Sequence, residues 1–256
     1  MNYLPFLILG LFLIIALYLI FQKKKDKVEM LTKADQQLLI ANVSYYQKLN
    51  EPKRLLFRNK VASFLGAVKI EGVGLELERL DQLLIASSAV IPIFGFEDWT
   101  YKNLTNVLLY PDTFDEKFQF EGGERRIMGM VGSGYMNGQM ILSQAALRHG
   151  FSKSAGKENT AIHEFVHLLD KSDGATDGVP ENLMHHEYTL PWVKMMHEEI
   201  DRIEANRSDI NPYAITNQAE FFAVTSEYFF EKPELLKDKH PELYEQLTRI
   251  FAQKLV

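Results

Sequence analysis

Hydrophobic and polar positions divide the chain into one unbroken apolar run and a series of amphipathic segments. Residues 4–21, LPFLILGLFLIIALYLIF, contain no charged side chain. As a helix this run would span about 27 Å, close to the hydrocarbon thickness of a bilayer. A cleaved leader would need a basic start and a small-residue cleavage site, and neither MNY before the run nor LIFQKKK at its end supplies them. The run therefore predicts one retained N-terminal transmembrane helix. Lys23, Lys24, Lys25 and Lys27 follow it at once, and the positive-inside rule places everything beyond them in the cytoplasm. The expected organisation is an anchor over 1–22, a basic juxtamembrane linker over 23–32 and one folded domain over 33–256.

Beyond the linker the apolar spacing becomes helical. Thr32, three residues before Asp35, reads as an N-cap opening a helix that runs to about Leu49. Residues 53–67 place Leu55, Leu56, Val61, Phe64 and Leu65 at helical intervals. Further helices are expected over 80–90 and about 157–171, 190–206, 217–230 and 241–254. Two runs read as strands: NVLLY at 106–110, stopped by Pro111, and QMILS at 139–143. The glycine-rich GMVGSGYMNG at 129–138 contains no G-x-G-x-x-G and leads into a strand, so it reads as a hairpin or mobile active-site loop, not a nucleotide cradle. No repeat or low-complexity stretch divides 33–256. The pattern predicts a mostly helical α+β domain with a small sheet.

Composition narrows the chemistry. The chain has 256 residues and no cysteine, so there is no disulfide framework and any metal must be held by His, Asp or Glu. Net charge is −6. Residues 1–27 carry +3 of it, which leaves −9 for the rest and argues against nucleic acid as a partner.

One helix is anomalous. TAIHEFVHLLD at 160–170 sets His163, Glu164 and His167 in an otherwise apolar run. Burying three such groups without partners would cost several kcal/mol. The spacing is H-E-x-x-H, which brings both imidazoles to one helix face a turn apart and leaves the glutamate on its rim. Two imidazoles and one carboxylate suit a single Zn²⁺ with its fourth position open to water, and Glu164 could act on that water as a base. The third ligand must come from elsewhere. NQAEFFAVTSEYFF at 217–230 offers Glu220 and Glu227, seven apart on one face, and spacing does not choose between them. Asp170, seven after His163, fits equally a partner of a ligand histidine or a helix-end residue. His185, His186 and Glu187 form a weaker metal candidate on a loop before Pro191. His149, His197 and His240 lack ligand-spaced neighbours and are expected at the surface.

HEFVHLLD at 163–170, NPYA at 211–214 and AEFFAVTSEYFF at 219–230 together resemble the Mlc titration factor A family of zinc metallopeptidases. YYQKL at 45–49, FRNKVASFL at 57–65 and VLLYPDTF at 107–114 extend the resemblance to roughly residues 38–250. It implies a zincin-like domain in which His163, His167 and Glu220 bind zinc, Glu164 is the general base and Tyr213 assists the oxyanion. It also implies a peptidase of weak, broad, aminopeptidase-like specificity acting on peptides or proteins. The family is further credited with binding a sugar-responsive transcriptional repressor. The alternative function is therefore a membrane-tethered regulator that sequesters such a repressor. The family's best-known members are soluble, so an anchor in the bacterial inner membrane would be an addition. QMILS, close upstream of the zinc helix, is the expected edge for a peptide substrate.

Overall fold

A computed structural model describes residues 30–114, 127–132 and 137–256. The expected anchor and most of the basic linker lie outside these residues. Among the described residues no helix is long and apolar enough to cross a membrane. In chain order the elements are α1 (Lys33–Asn42), α2 (Ser44–Lys48), α3 (Glu51–Ala67), β1 (Lys69–Gly72), α4 (Arg79–Ile93), β2 (Asn106–Tyr110), β3 (Gly129–Val131), β4 (Gln139–Ser143), α5 (Gln144–Gly150), α6 (Thr160–Asp170), α7 (Thr189–Glu204), α8 (Gln218–Glu231), α9 (Pro233–Lys239) and α10 (Pro241–Ile250). The domain is thus mostly helical with one small sheet.

Short polar side chains start the helices that matter most. Thr32 and Asp35 close a capping box at α1, with the Asp35 carboxylate accepting from Thr32 N at 2.9 Å and Thr32 Oγ1 accepting from Asp35 N at 3.1 Å. Asn159 caps α6 and Asn217 caps α8, each through its side-chain oxygen. The helix expected to run unbroken to Leu49 is interrupted. Val43 turns extended, at φ −113° and ψ 95°, and the chain restarts as α2. Both Val43 and Tyr46 are thereby fully buried.

Four strands form the sheet in the order β1-β2-β4-β3, parallel except for the antiparallel β3–β4 pair. This corrects one expectation. QMILS, now β4, is not an edge, because β2 pairs with one side of it and β3 with the other. Its residues 140–143 are buried accordingly. Among the described residues the strand with an open edge beside α6 is β3, where Met130 faces Ile141 in register. The glycine-rich stretch contributes that strand and so forms a hairpin with β4, although its residues 133–136 lie outside the described region.

The core is built where α6 packs on α8, α4 and β3. Ile162, Phe165, Val166 and Leu169 of α6 are completely buried, as are Phe221, Phe222 and Phe229 of α8. Burial of each such side chain stabilises by roughly 1.5–3 kcal/mol. Phe222 stacks on Phe251 at 5.7 Å between centroids, tying the C-terminal end of the chain to α8. The consequence for function is rigidity. The two helices bearing His163, His167 and Glu220 are held against each other, and α6 also against α4, by the apolar side chains just named.

Candidate metal centre

His163 and His167 lie one turn apart on α6, and Glu220 sits in the first turn of α8 facing them. One ligand-type atom from each lies within 4.8 Å of the other two. The individual spacings are tighter. His163 Nε2 is 2.9 Å from Glu220 Oε2, His167 Nε2 is 3.0 Å from His163 Nε2, and His167 Nε2 is 3.5 Å from Glu220 Oε1. A tetrahedral zinc ion with bonds of about 2.0–2.1 Å spaces its ligand atoms about 3.3 Å apart. The observed set brackets that value. A single proton can bridge only one such pair, whereas one cation satisfies all three. The donor set fits Zn²⁺ on both geometry and chemistry.

The other nitrogen of His163 decides which carboxylate plays which part. Nδ1 is 2.8 Å from Glu227 Oε1, and Glu227 Oε2 accepts from the backbone N–H of Asn159 at 2.5 Å. Glu227 therefore lies behind the ring, where it accepts from Nδ1–H and turns Nε2 toward Glu220 and His167. Burial alone would push the His163 imidazolium down, but Glu220 and Glu227 on its two nitrogens outweigh that and raise its pKa to about 10. Glu220 is displaced the opposite way. Burial would raise it, yet the two histidines hold it at about 2. Both shifts arise from the same close pairing of imidazoles with carboxylates.

Glu164 is buried and lies against the sheet, not among the three clustered groups. Burial, reinforced by the charges of Glu220 and Glu227 and opposed by the two histidines, raises its pKa. A raised carboxyl is a better base toward water than an ordinary glutamate. Its seat depends on Gly129 of β3. A Cβ there would lie 2.6 Å from Glu164 Cγ and 2.7 Å from Oε1, so only glycine lets the strand approach this closely. Tyr213 stands on the opposite rim, 53% exposed, with its ring 6.2 Å from that of His163. Burial and the nearby charges of Glu220 and Glu164 raise its phenol, keeping it a proton donor. A hollow of about 450 Å³ joins these groups, lined by β3, His163, Glu164, His167, Tyr213 and Glu220.

The remaining candidates separate. Asp170 is fully buried and its Oδ2 accepts from Gly178 N at 2.9 Å, pinning the loop after α6. It makes no hydrogen bond to either histidine of the motif. His185, His186 and Glu187 stand apart from the centre around a short 3-10 turn, His186–Tyr188. His149 and His197 are exposed. His240 corrects the expectation of a surface position: it is buried, with Nδ1 3.1 Å from Glu199 and Nε2 2.8 Å from Asp209. The partners are carboxylates 41 and 31 residues away in sequence, which local spacing could not reveal. Sequence reasoning also passed over Asn159 and Gly129. Asn159 carried a signal as a capping residue just ahead of the motif helix. Gly129 carried none beyond its glycine-rich setting.

The family model described as glucose-regulated metallo-peptidase M90 matches residues 20–252. A protein of Pectobacterium atrosepticum named Mlc titration factor A is 32% identical over 189 residues, covering 69% of this chain and 70% of that protein. A Yersinia pestis protein of the same name is 29% identical over 247 residues, covering 91% and 89%. An uncharacterised Synechocystis protein is 28% identical over 236 residues, covering 85% and 82%.

Proposed function

The chain belongs to the M90 family of glucose-regulated metallo-peptidases, and from that premise we propose that it hydrolyses peptide bonds with one Zn²⁺ held by His163, His167 and Glu220. The observation that carries this reading is the convergence of those three groups beside a buried Glu164 that is not one of them. A purely structural zinc site closes its coordination with protein ligands and has no use for a base beside an open position. When bound, the ion polarises the scissile carbonyl and lowers the pKa of water to about 7. Glu164 takes the proton of the attacking water and delivers it to the departing amine. Glu227 holds the His163 ring in place throughout. Tyr213 donates its phenolic proton in a hydrogen bond to the developing oxyanion, a contribution of roughly 3 kcal/mol where such donors have been removed elsewhere. Peptide hydrolysis by the purified protein is expected to vanish with a zinc chelator and return with added Zn²⁺. Activity that survives chelation would refute the reading.

Substrate binding follows from the open edge of β3. Gly129, Met130 and Val131 line the same hollow as Glu164, and among the described residues only one side of the strand is paired. An extended peptide adding to that edge gains main-chain hydrogen bonds that ignore side-chain identity. We expect slow cleavage of many short unstructured peptides, including aminopeptidase-like trimming. Cleavage confined to one sequence in a peptide library would count against edge binding.

A second reading takes the relatives' printed name, titration factor, as the clue. In it the folded domain sequesters a transcriptional repressor at the membrane. The position of Glu164 favours the peptidase. Placement in the bacterial inner membrane rests on residues 4–21 and the lysines after them. A reporter fused after Val256 is expected to be active only in the cytoplasm, and a fusion active only in the periplasm would reverse the topology.

A further inference from the structure

A second cavity, of about 790 Å³, opens on another side of α6 from the metal centre, reaching Ile162 from between α2, the end of α4 and the start of α9. Tyr45, Phe94, Phe151 and Phe230 are among its walls. Lys48, Lys53, Lys153, Lys232 and Lys254 also line it, and among the described residues Glu231 is the only acidic one that does. Lys48 shares its charge with Glu234 at 3.6 Å. Five lysines lining one hollow are unexpected on a chain of net charge −6. They act as point charges suited to a compact dianion, and among the described residues the lining contains no arginine fork that would favour a planar carboxylate.

We propose that this cavity binds a small soluble organic phosphate, its dianion among the lysines and its uncharged body against the aromatic walls, and that occupancy is relayed to His163 through Glu231, Asn159 and Glu227. The relay is a continuous set of hydrogen bonds. Glu231 Oε1 accepts from Asn159 Nδ2 at 2.9 Å. The backbone N–H of the same asparagine donates to Glu227 Oε2 at 2.5 Å, and Glu227 Oε1 lies 2.8 Å from His163 Nδ1. Asn159 Oδ1 meanwhile caps α6 through Ile162 N at 3.2 Å. One residue thus joins the cavity, the start of the motif helix and the group that orients His163. Burial pushes Glu231 up to about 7, with Glu227 adding to the effect. A dianion beside it favours the protonated form, which accepts more weakly from Asn159 than the carboxylate does.

Binding in the cavity stands whether or not the centre is a peptidase; only the relay rests on the zinc reading. The test is calorimetry on the full chain in detergent micelles with three probes: phenyl phosphate, inorganic phosphate and a short-chain phosphatidic acid. Phenyl phosphate is expected to bind below millimolar concentration and more tightly than inorganic phosphate. The double variant Lys153→Glu, Lys254→Glu, altering two exposed side chains, is expected to weaken it by about tenfold or more with the thermal melt unchanged. Zinc affinity, read by chelator competition, is expected to change by about fivefold in saturating phenyl phosphate and to stay constant in Glu231→Leu, which binds the probe but lacks the acceptor for Asn159. No binding at millimolar phenyl phosphate, or equal binding by the double variant, overturns the site. Tighter binding of phosphatidic acid overturns the soluble ligand in favour of a lipid headgroup. An unchanged zinc affinity in the wild-type chain overturns the relay.

Discussion

Glu164→Gln is expected to lower peptide turnover by at least about 10²-fold while leaving zinc content and thermal melting almost unchanged. Glutamine matches glutamate in shape and still hydrogen-bonds water, but it cannot take a proton. The substitution is also tolerated by the packing, since the contact that confines this side chain is the steric approach of Gly129, which a side chain of the same shape leaves intact. Losing its charge weakens the affinity of the neighbouring groups for a cation only slightly, because Glu164 is not among the three clustered groups. Metal content, melting and hydrolysis measured on one preparation separate the possibilities. Wild-type turnover in the variant would mean that hydrolysis arises elsewhere, and the domain would then be better described as the repressor-binding regulator. A variant that loses zinc together with activity would make Glu164 a ligand, and the assignment of its role would fail.

The contrast between what the chain disclosed early and what only folding revealed follows from range. H-E-x-x-H is a local pattern, and helical geometry alone brings His163 and His167 together. Strands β2 and β4 were legible at their observed bounds because their apolar runs are punctuated by turns and, in β2, by Pro111. β1 was not, because KIEG is a four-residue edge strand with no fully buried side chain. β3 was hidden for a similar reason: its three residues are only half-buried, and pairing with β4 creates the strand. The identity of the free edge then depended on strand order, which no single segment encodes. His240 illustrates the same limit, since a buried histidine between Glu199 and Asp209 is a property of three distant segments meeting.

Glu220 and Glu227 are the sharpest instance, because they are indistinguishable by spacing and opposite in geometry. Glu220 faces the Nε2 atoms of both histidines, whereas Glu227 holds the Nδ1 of His163 from behind. Glu220→Ala is therefore expected to abolish zinc retention through purification, since two imidazoles alone hold the ion poorly. His163→Ala should do the same, losing metal and hydrolysis together. Glu227→Ala leaves all three ligand groups in place and removes only the acceptor that fixes the His163 tautomer. Its zinc affinity should fall by about 10–100-fold, the usual effect of removing such a partner, so that purified protein still carries metal when buffers contain it. Metal content of the three proteins after identical purification checks the ranking. Retention of zinc by Glu220→Ala alongside its loss from Glu227→Ala would exchange the two roles, and the ring of His163 would then have to bind the ion through Nδ1.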